Sequence, residues 1–266
     1  MRSPIRWFGG KGNFTQHLLP LIPDHKCYVE VFGGGASLLF AKPPSKVEVY
    51  NDIDGDVVAF FRLFHDAEAM EEFKRKCYYT PYSRGWYLEC SHTWQDYKGI
   101  ERIYRWYIKT YMTFGGKFDR HNASFGKREN KSLCFQRLVA SFDKIIDRLH
   151  HVQIECDTWE RIIDRYDDSS TLFYLDPPYL PETRSDGGYA HEMTFADHKR
   201  LTERLESIQG KALLSGYANK LYDSLKWQRN DTEVSTHANH NNGIRSDNDK
   251  RTECLWRNYE IQPTLF

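Results

Sequence analysis

The sequence predicts an α/β fold: a largely parallel sheet interrupted by a long, mainly helical insertion. Three observations lead there. Two short strand patterns near the N-terminus each run into a turn and then a helical pattern. From about Phe60 to His150 the apolar periodicity is helical and no buried-strand run appears, although a parallel sheet needs strands that return regularly. Beyond that stretch, strand and helix patterns alternate again.

Residues 27–32 (CYVEVF) form the first strand pattern, which runs into Gly33-Gly34-Gly35 and a helical stretch over 36–41. Residues 46–50 (KVEVY) form the second, ending in Asn51-Asp52-Ile53-Asp54 ahead of an apolar helical run over 57–64. Inside the insertion, Thr113-Phe114-Gly115-Gly116-Lys117 and Ser124-Phe125-Gly126-Lys127 bracket a polar, glycine-punctuated segment with the signature of a basic hairpin. Strands resume at 152–156, 171–175, 211–215, 227–235 and 253–259, with helices over 158–166, 194–208 and 219–225. Segment 236–250 is polar and turn-forming. Its His237 and His240 have no acidic or cysteine partner at helical spacing, so solvated histidines are expected rather than metal ligands.

The composition is that of an ordinary globular chain: 266 residues, 37 basic against 37 acidic, 40% hydrophobic and 15% aromatic. No apolar run reaches the roughly 18 residues of a membrane span, and the first residues lack the apolar stretch of a secretory signal. Six cysteines without a CxxC pair argue against a zinc knuckle or a disulfide framework and predict reduced, mostly buried thiols. The zero net charge hides an asymmetry. Between Lys98 and Lys131 nine basic residues face three acidic ones, whereas between Asp52 and Glu72 seven acids face Arg62 alone. Such a split suggests one face made for an anion. The basic stretch is interleaved with Tyr104, Trp106, Tyr107, Tyr111, Phe114, Phe118 and Phe125, the first four of which an amphipathic helix would equally bury as core.

The first strand carries the first chemical signal. A glycine-rich turn after a strand lets backbone approach a ligand, and an acid at the end of the next strand accepts hydrogen bonds from ribose hydroxyls. Phe32-Gly33-Gly34-Gly35 supplies the turn, and Asp52 follows Gly33 by 19 residues. Leu38 occupies the place of the third glycine in a dinucleotide fingerprint, which favours an adenosine cofactor without phosphates over NAD.

The second signal is sharper. Leu175-Asp176-Pro177-Pro178-Tyr179 lies at the C-terminal end of the 171–175 strand, where open α/β sheets bind their ligands. Two prolines stiffen the exit, lack amide hydrogens and cannot continue a central strand. An acid before them and an aromatic after them suit methylation of an exocyclic amino group. The adenine N6 lone pair is delocalised into the ring, so acceptors for its two hydrogens are needed to draw it out of the plane. The Asp176 carboxylate and Pro177 carbonyl are such acceptors, and Tyr179 can stack on the base. A cytosine-C5 enzyme would need a nucleophilic thiol, usually after proline, and no cysteine here follows one.

These residues, in this order, resemble the D12-class, or Dam-type, DNA adenine-N6 methyltransferases of bacteria and phages, along nearly the whole chain. Arg6-Trp7-Phe8-Gly9-Gly10-Lys11 is similar to the family's Lys-Trp-x-Gly-Gly-Lys element. Val29-Glu30-Val31-Phe32-Gly33-Gly34-Gly35-Ala36 is similar to its Val-Glu-Pro-Phe-x-Gly-x-Gly motif, with Val31 in place of Pro. Asn51-Asp52-Ile53 matches its ribose-binding acid and Asp176-Pro177-Pro178-Tyr179 its catalytic motif. Phe195 with the helix after it, Ser215-Gly216-Tyr217, and Glu253-Cys254-Leu255-Trp256-Arg257-Asn258-Tyr259 resemble later motifs.

The resemblance implies a Rossmann-like, S-adenosylmethionine-dependent methyltransferase sheet, with residues 1–59 and 157–266 catalytic and 60–156 an inserted, mainly helical target recognition domain carrying the basic hairpin. It implies S-adenosylmethionine as methyl donor, S-adenosylhomocysteine as product and no metal. Trp7, Lys11, Phe32, Gly33, Gly35, Asp52 and Asp176 are the implied cofactor residues; Asp176, Pro177, Pro178 and Tyr179 the implied catalytic set. Asp157 would lie near the adenine ring or cap the helix that follows it. Double-stranded DNA is the implied partner, with the target adenine flipped out of the duplex and Lys117, Arg120, His121, Asn122, Lys127 and Arg128 in contact with DNA. A cognate restriction enzyme, a monomer or weak dimer, and the cytoplasm of a bacterium or phage-infected host complete the expectation. Readers of GATC carry an Arg-Tyr-Asn run and an Asn-Val-Pro-Phe-Gly run around the recognition hairpin; this chain has Tyr111-Met112-Thr113-Phe114-Gly115-Gly116-Lys117 and Asn122-Ala123-Ser124-Phe125-Gly126, so the target sequence stays open. The alternative readings are an RNA adenine-N6 methyltransferase and a non-catalytic nucleic-acid-binding relative, although the latter would be expected to have lost Asp176 or the glycine turn.

Overall fold

A computed structural model describes residues 1–7, 9–113, 129–183, 191–235 and 250–261. In chain order its elements are α1 (Thr15–Leu18), β1 (Cys27–Glu30), α2 (Ser37–Ala41), β2 (Val47–Asn51), α3 (Gly55–Arg62), α4 (Ala67–Tyr78), α5 (Arg84–Thr93), α6 (Gly99–Met112), α7 (Lys131–Val139), α8 (Phe142–Leu149), β3 (Val152–Glu155), α9 (Trp159–Tyr166), β4 (Thr171–Leu175), α10 (Phe195–Glu206), β5 (Lys211–Tyr217), α11 (Lys220–Asp223), β6 (Gln228–Ser235) and β7 (Lys250–Arg257). The strands form a seven-stranded sheet in the order β3-β2-β1-β4-β5-β7-β6. The chain divides into two compact units: Met1–Leu19, Gly34–Pro44 and Asp52–Cys156 in the first, Pro20–Gly33, Ser45–Asn51 and Asp157–Phe266 in the second.

The second unit holds the strands that shape the site. β1 pairs in parallel with β2 and β4, and β4 with β5, while β7 runs antiparallel to both β5 and β6. Because side chains alternate across a strand, one face presents Val29, Val31, Val49, Phe173, Leu175, Ala212 and Leu214. That face is buried against Ile162 and Ile163 of α9, Leu201 and Leu205 of α10, and Tyr222 of α11. Helix α10 starts with a reciprocal capping box, Thr194 accepting from the Asp197 amide and Asp197 from the Thr194 amide. The alternate positions mix polar and apolar side chains, Tyr28, Glu30, Glu48, Tyr50, Tyr174, Ser215 and Glu253 with Leu172, Leu213 and Leu255, all buried. The first strand stops at Glu30, two residues before its pattern ends, because the Gly33 amide turns back to the Asn51 carbonyl at 2.7 Å. The last strand starts earlier than its apolar run, at Lys250, as pairing with β6 extends it through polar residues.

Among the described residues the first unit is helical apart from β3, and no strand occurs between residues 60 and 150. Its core is aromatic. Phe60 stacks on Tyr107 with centroids 5.0 Å apart, Phe73 meets Phe142 at 5.9 Å, and Tyr111 meets Phe135 at 5.0 Å. Tyr104, Trp106, Tyr107 and Tyr111 of α6 are therefore core, the second of the two readings their spacing allowed. The charges of α6 are also committed internally. Arg102 grips Asp56 through two nitrogens at 2.7 and 3.1 Å. Buried Arg105 pairs with Glu101 and Glu89 and lies over the rings of Trp86 and Tyr97. Here Asp56 of the 52–72 stretch meets Arg102 of the 98–131 stretch within one unit, and Arg105 is met by Glu89 and Glu101, so these two guanidinium groups are not the free anion-binding face their charge suggested. Cys77, Cys90 and Cys254 are buried, Cys27 and Cys134 are half-buried, and Cys156 is exposed. No described helix is long and apolar enough to cross a membrane.

Candidate active site

In the second unit, the strand sequence reverses direction between β1 and β4: β2 lies on the outer side of β1, β5 on the outer side of β4. At such a switch point the connections diverge and leave a crevice outside the carboxyl ends of the strands. Glu30 of β1 is in register with Tyr50 of β2 and Tyr174 of β4, so these three strands end together. Phe32 and Gly33 leave the sheet from β1 there, and Asp176 leaves it from β4. A Cβ on Gly33 would sit 2.7 Å from the Asn51 carbonyl oxygen and inside the Tyr50 ring, so only glycine fits. Asn51 is 1% exposed and fully used: its side-chain nitrogen donates to the carbonyls of Val31 (2.9 Å) and Asp157 (3.1 Å), and its oxygen accepts from the Asp157 amide (2.9 Å).

Beyond Asp176 come Pro177, buried, and Pro178, half-buried. Tyr179 is buried and donates its hydroxyl to Glu253 of β7; that oxygen also lies 3.4 Å from Ser215 Oγ of β5. Ser215 in turn donates to Glu253 at 2.9 Å, and the Tyr217 ring meets Tyr179 edge-on at 4.6 Å. Burial first, then the charges of Asp176 and Glu253, push the Tyr179 hydroxyl far above the ordinary phenol range, so it stays a proton donor. Asp157 does not cap by itself: Thr158 is the capping residue of α9, and the Asp157 carboxylate accepts from the Thr158 amide and pairs with Arg161 and Arg165. The Thr158 amide, with the two arginines, holds its carboxyl below the usual range.

In the first unit, Asp52 closes the glycine turn. Its Oδ2 accepts from the Gly34 amide at 2.7 Å and its Oδ1 from the Asp54 amide at 2.8 Å. Gly34 has φ +44°, a left-handed conformation natural to glycine. The Trp7 side chain lies against this turn: a Cβ on Gly34 would enter the indole, and one on Gly35 would stand 3.0 Å from Trp7 Cβ. The arm bearing Trp7 is fastened by α6. Tyr107 donates to the Pro4 carbonyl at 3.2 Å, the Arg6 guanidinium sits 4.4 Å over the Tyr111 ring, and Trp106 is 6.2 Å from Trp7. Lys11 is half-buried at the start of the turn into α1, its carbonyl accepting from Phe14 and Thr15. Behind Asp52, Asp54 accepts from the Asp56 amide to start α3, and Lys109 lies 4.2 Å from the Trp94 ring centre. Burial lowers the Lys109 ammonium to about 8, against the pull of Asp54 and Asp56.

A turn cleared of Cβ atoms and a carboxylate at the end of β2 suit an adenosine ligand without phosphates, and the Asp176 carboxylate with a proline carbonyl suits an amino group. The structure thus gathers Phe32, Gly33, Asp176, Pro177, Pro178 and Tyr179 in one unit, and Trp7, Lys11, Gly35 and Asp52 in the other. Lys117, Arg120, His121, Asn122, Lys127 and Arg128 lie outside the described residues, as do His237 and His240. Glu253 and Ser215 were visible only as parts of later motifs, with no role. The signal that could have marked them is a polar side chain two places from a leucine on the same strand face, Ser215 beside Leu213 and Glu253 beside Leu255. Among the described residues no cluster of His, Cys, Asp or Glu is arranged to hold a metal.

Comparison with known proteins fits this geometry. A type II methyltransferase of Lactococcus lactis subsp. cremoris, M1.LlaDCHI, is 25% identical over 97% of this chain and 96% of its own length. The type II methyltransferase M.CviBI of Paramecium bursaria Chlorella virus NC1A is 25% identical over 84% of this chain and 87% of its own, and M.MjaIII of Methanocaldococcus jannaschii 24% identical over 82% and 87%. The family model for D12 class N6 adenine-specific DNA methyltransferases matches residues 7–241, from the tryptophan on the glycine turn to beyond β6. The chain belongs to the D12 class of N6 adenine-specific DNA methyltransferases.

Proposed function

We propose that this adenine-specific DNA methyltransferase takes its methyl group from S-adenosylmethionine and acts on a flipped adenine within one short sequence of duplex DNA. The observation that carries the reading is the exit of Phe32-Gly33 and Asp176-Pro177-Pro178-Tyr179 from adjacent strands at the switch point of the sheet. Trp7, Lys11, Gly35 and Asp52, with Phe32, Gly33 and Asp176, are the cofactor residues; Asp52 presents its remaining lone pairs to the ribose hydroxyls. When bound, the cofactor supplies an electrophilic sulfonium methyl. Asp176 and the Pro177 carbonyl accept the two amino hydrogens of the base, which localises the N6 lone pair, and the proton that N6 sheds passes along its hydrogen bond toward Asp176. Tyr179 flanks the base.

Residues 60–156 serve as the recognition domain in this reading, and Lys117, Arg120, His121, Asn122, Lys127 and Arg128 hold the phosphates and probe the bases. The relatives' designation as type II methyltransferases supports a cognate restriction enzyme as functional partner. Action as a monomer or weak dimer in the cytoplasm belongs to the same proposal. The test is transfer of labelled methyl to unmethylated duplex DNA by the wild type and by Asp176→Ala, with modified positions read by sequencing. N6-methyladenine in a single short motif, absent with the variant, is the expected result. Cofactor binding without DNA methylation would overturn the duplex reading and direct the same assay to structured RNA.

A further inference from the structure

Glu253 is a buried carboxylate that the reaction described above does not use. It lies on β7 opposite Tyr217 of β5 and is 4% exposed. Burying a carboxylate is costly unless hydrogen-bond donors meet it. Two hydroxyls do: Ser215 Oγ at 2.9 Å and the Tyr179 phenol, both on the same oxygen, Oε1. Tyr179 stands three residues beyond Asp176, and the two prolines between them leave little backbone freedom. The movable part of that segment is the tyrosine ring, and a hydroxyl anchored at one end with Tyr217 against its flank fixes both of its side-chain torsions. An apolar residue at 253 would fill the same space without this anchor.

We propose that Glu253 is a positioning residue for methyl transfer: by holding the Tyr179 hydroxyl it sets the ring, and with it the angle at which the adenine amino group meets Asp176. The inference rests on the reading of the Asp176–Tyr179 segment as base-facing.

Single-turnover methyl transfer, cofactor affinity and DNA affinity are to be measured for Glu253→Ala, Glu253→Gln, Tyr179→Phe and the Glu253→Ala/Tyr179→Phe double variant, with Asp176→Ala as reference. The expected result is a transfer rate lowered about tenfold in Glu253→Ala and in Tyr179→Phe. Both affinities should stay within about twofold of wild type, because neither variant removes a group assigned to holding the cofactor or DNA. The double variant should be no slower than the slower single one, since both remove the same contact. Glu253→Gln, which keeps an acceptor oxygen, should fall in between. A wild-type rate in either single variant, or fully multiplicative losses in the double, overturns the proposal. If Glu253→Ala does not fold, Tyr179→Phe alone decides, because it removes the contact and keeps the carboxylate. A wild-type rate in Asp176→Ala would instead sink the base-facing reading itself.

Discussion

The Gly34 amide and the Asp52 carboxylate, 18 residues apart in the chain, are joined by a 2.7 Å hydrogen bond. The acid thus has two tasks, since the group assigned to the ribose also holds the turn beside which the ribose would sit. Asp52→Asn puts an amide nitrogen among donors that need an acceptor. A buried or half-buried donor left unpaired costs about 1–3 kcal/mol, so cofactor affinity should fall about tenfold or more. Calorimetric titration with S-adenosylmethionine measures this, and unchanged affinity would refute the double role.

Gly34 combines a left-handed backbone with the Trp7 indole where a side chain would begin. Gly34→Ala should therefore destabilise through both strain and overlap, by about 2 kcal/mol. In a Trp7→Ala background only the backbone strain remains. The two changes together should cost less than the sum of each alone, as read by urea unfolding; strict additivity would place the indole elsewhere.

Asn51, itself buried, makes three hydrogen bonds that tie β2 to the end of β1 and the segment leading into α9. Its replacement by alanine should lower stability by about 3 kcal/mol, with the Val31 and Asp157 carbonyls and the Asp157 amide losing this partner. Asn51→Asp should be worse at neutral pH, since a carboxylate would then face the two carbonyls. Thermal melts of both variants check the order.

Lys109 is held down to about 8 by burial, below the 10.5 of a free lysine. A base whose pKa is lower in the folded state binds protons more weakly there than in the unfolded chain. Wild-type stability should consequently gain from this group as pH rises from about 8 to 10.5, and the full penalty is present below that window. The stability of Lys109→Met relative to wild type should then be greatest near pH 7 and decline as the pH rises to 10.5. A difference that does not change with pH would contradict the burial of the ammonium.

Local sequence patterns carried the α/β alternation, the helical insertion and the motifs on which the candidate site is built. Strands at 171–175 and 211–215, the helical stretch from 60 to 150, the glycine turn, Asp52 and the Asp176 motif all follow from local patterns, because side-chain periodicity and the stereochemistry of glycine and proline act over a few residues. Which residues meet across long separations was not legible in any local pattern. The aromatics of α6 became core and anchors for the Trp7 arm rather than a probe for bases, and Arg102 found Asp56, 46 residues away. Glu253 found Tyr179, 74 residues away. Such pairings depend on which strands become neighbours and which face of each is buried, and that is fixed by the packing of the whole sheet and its helices rather than by any short window of sequence.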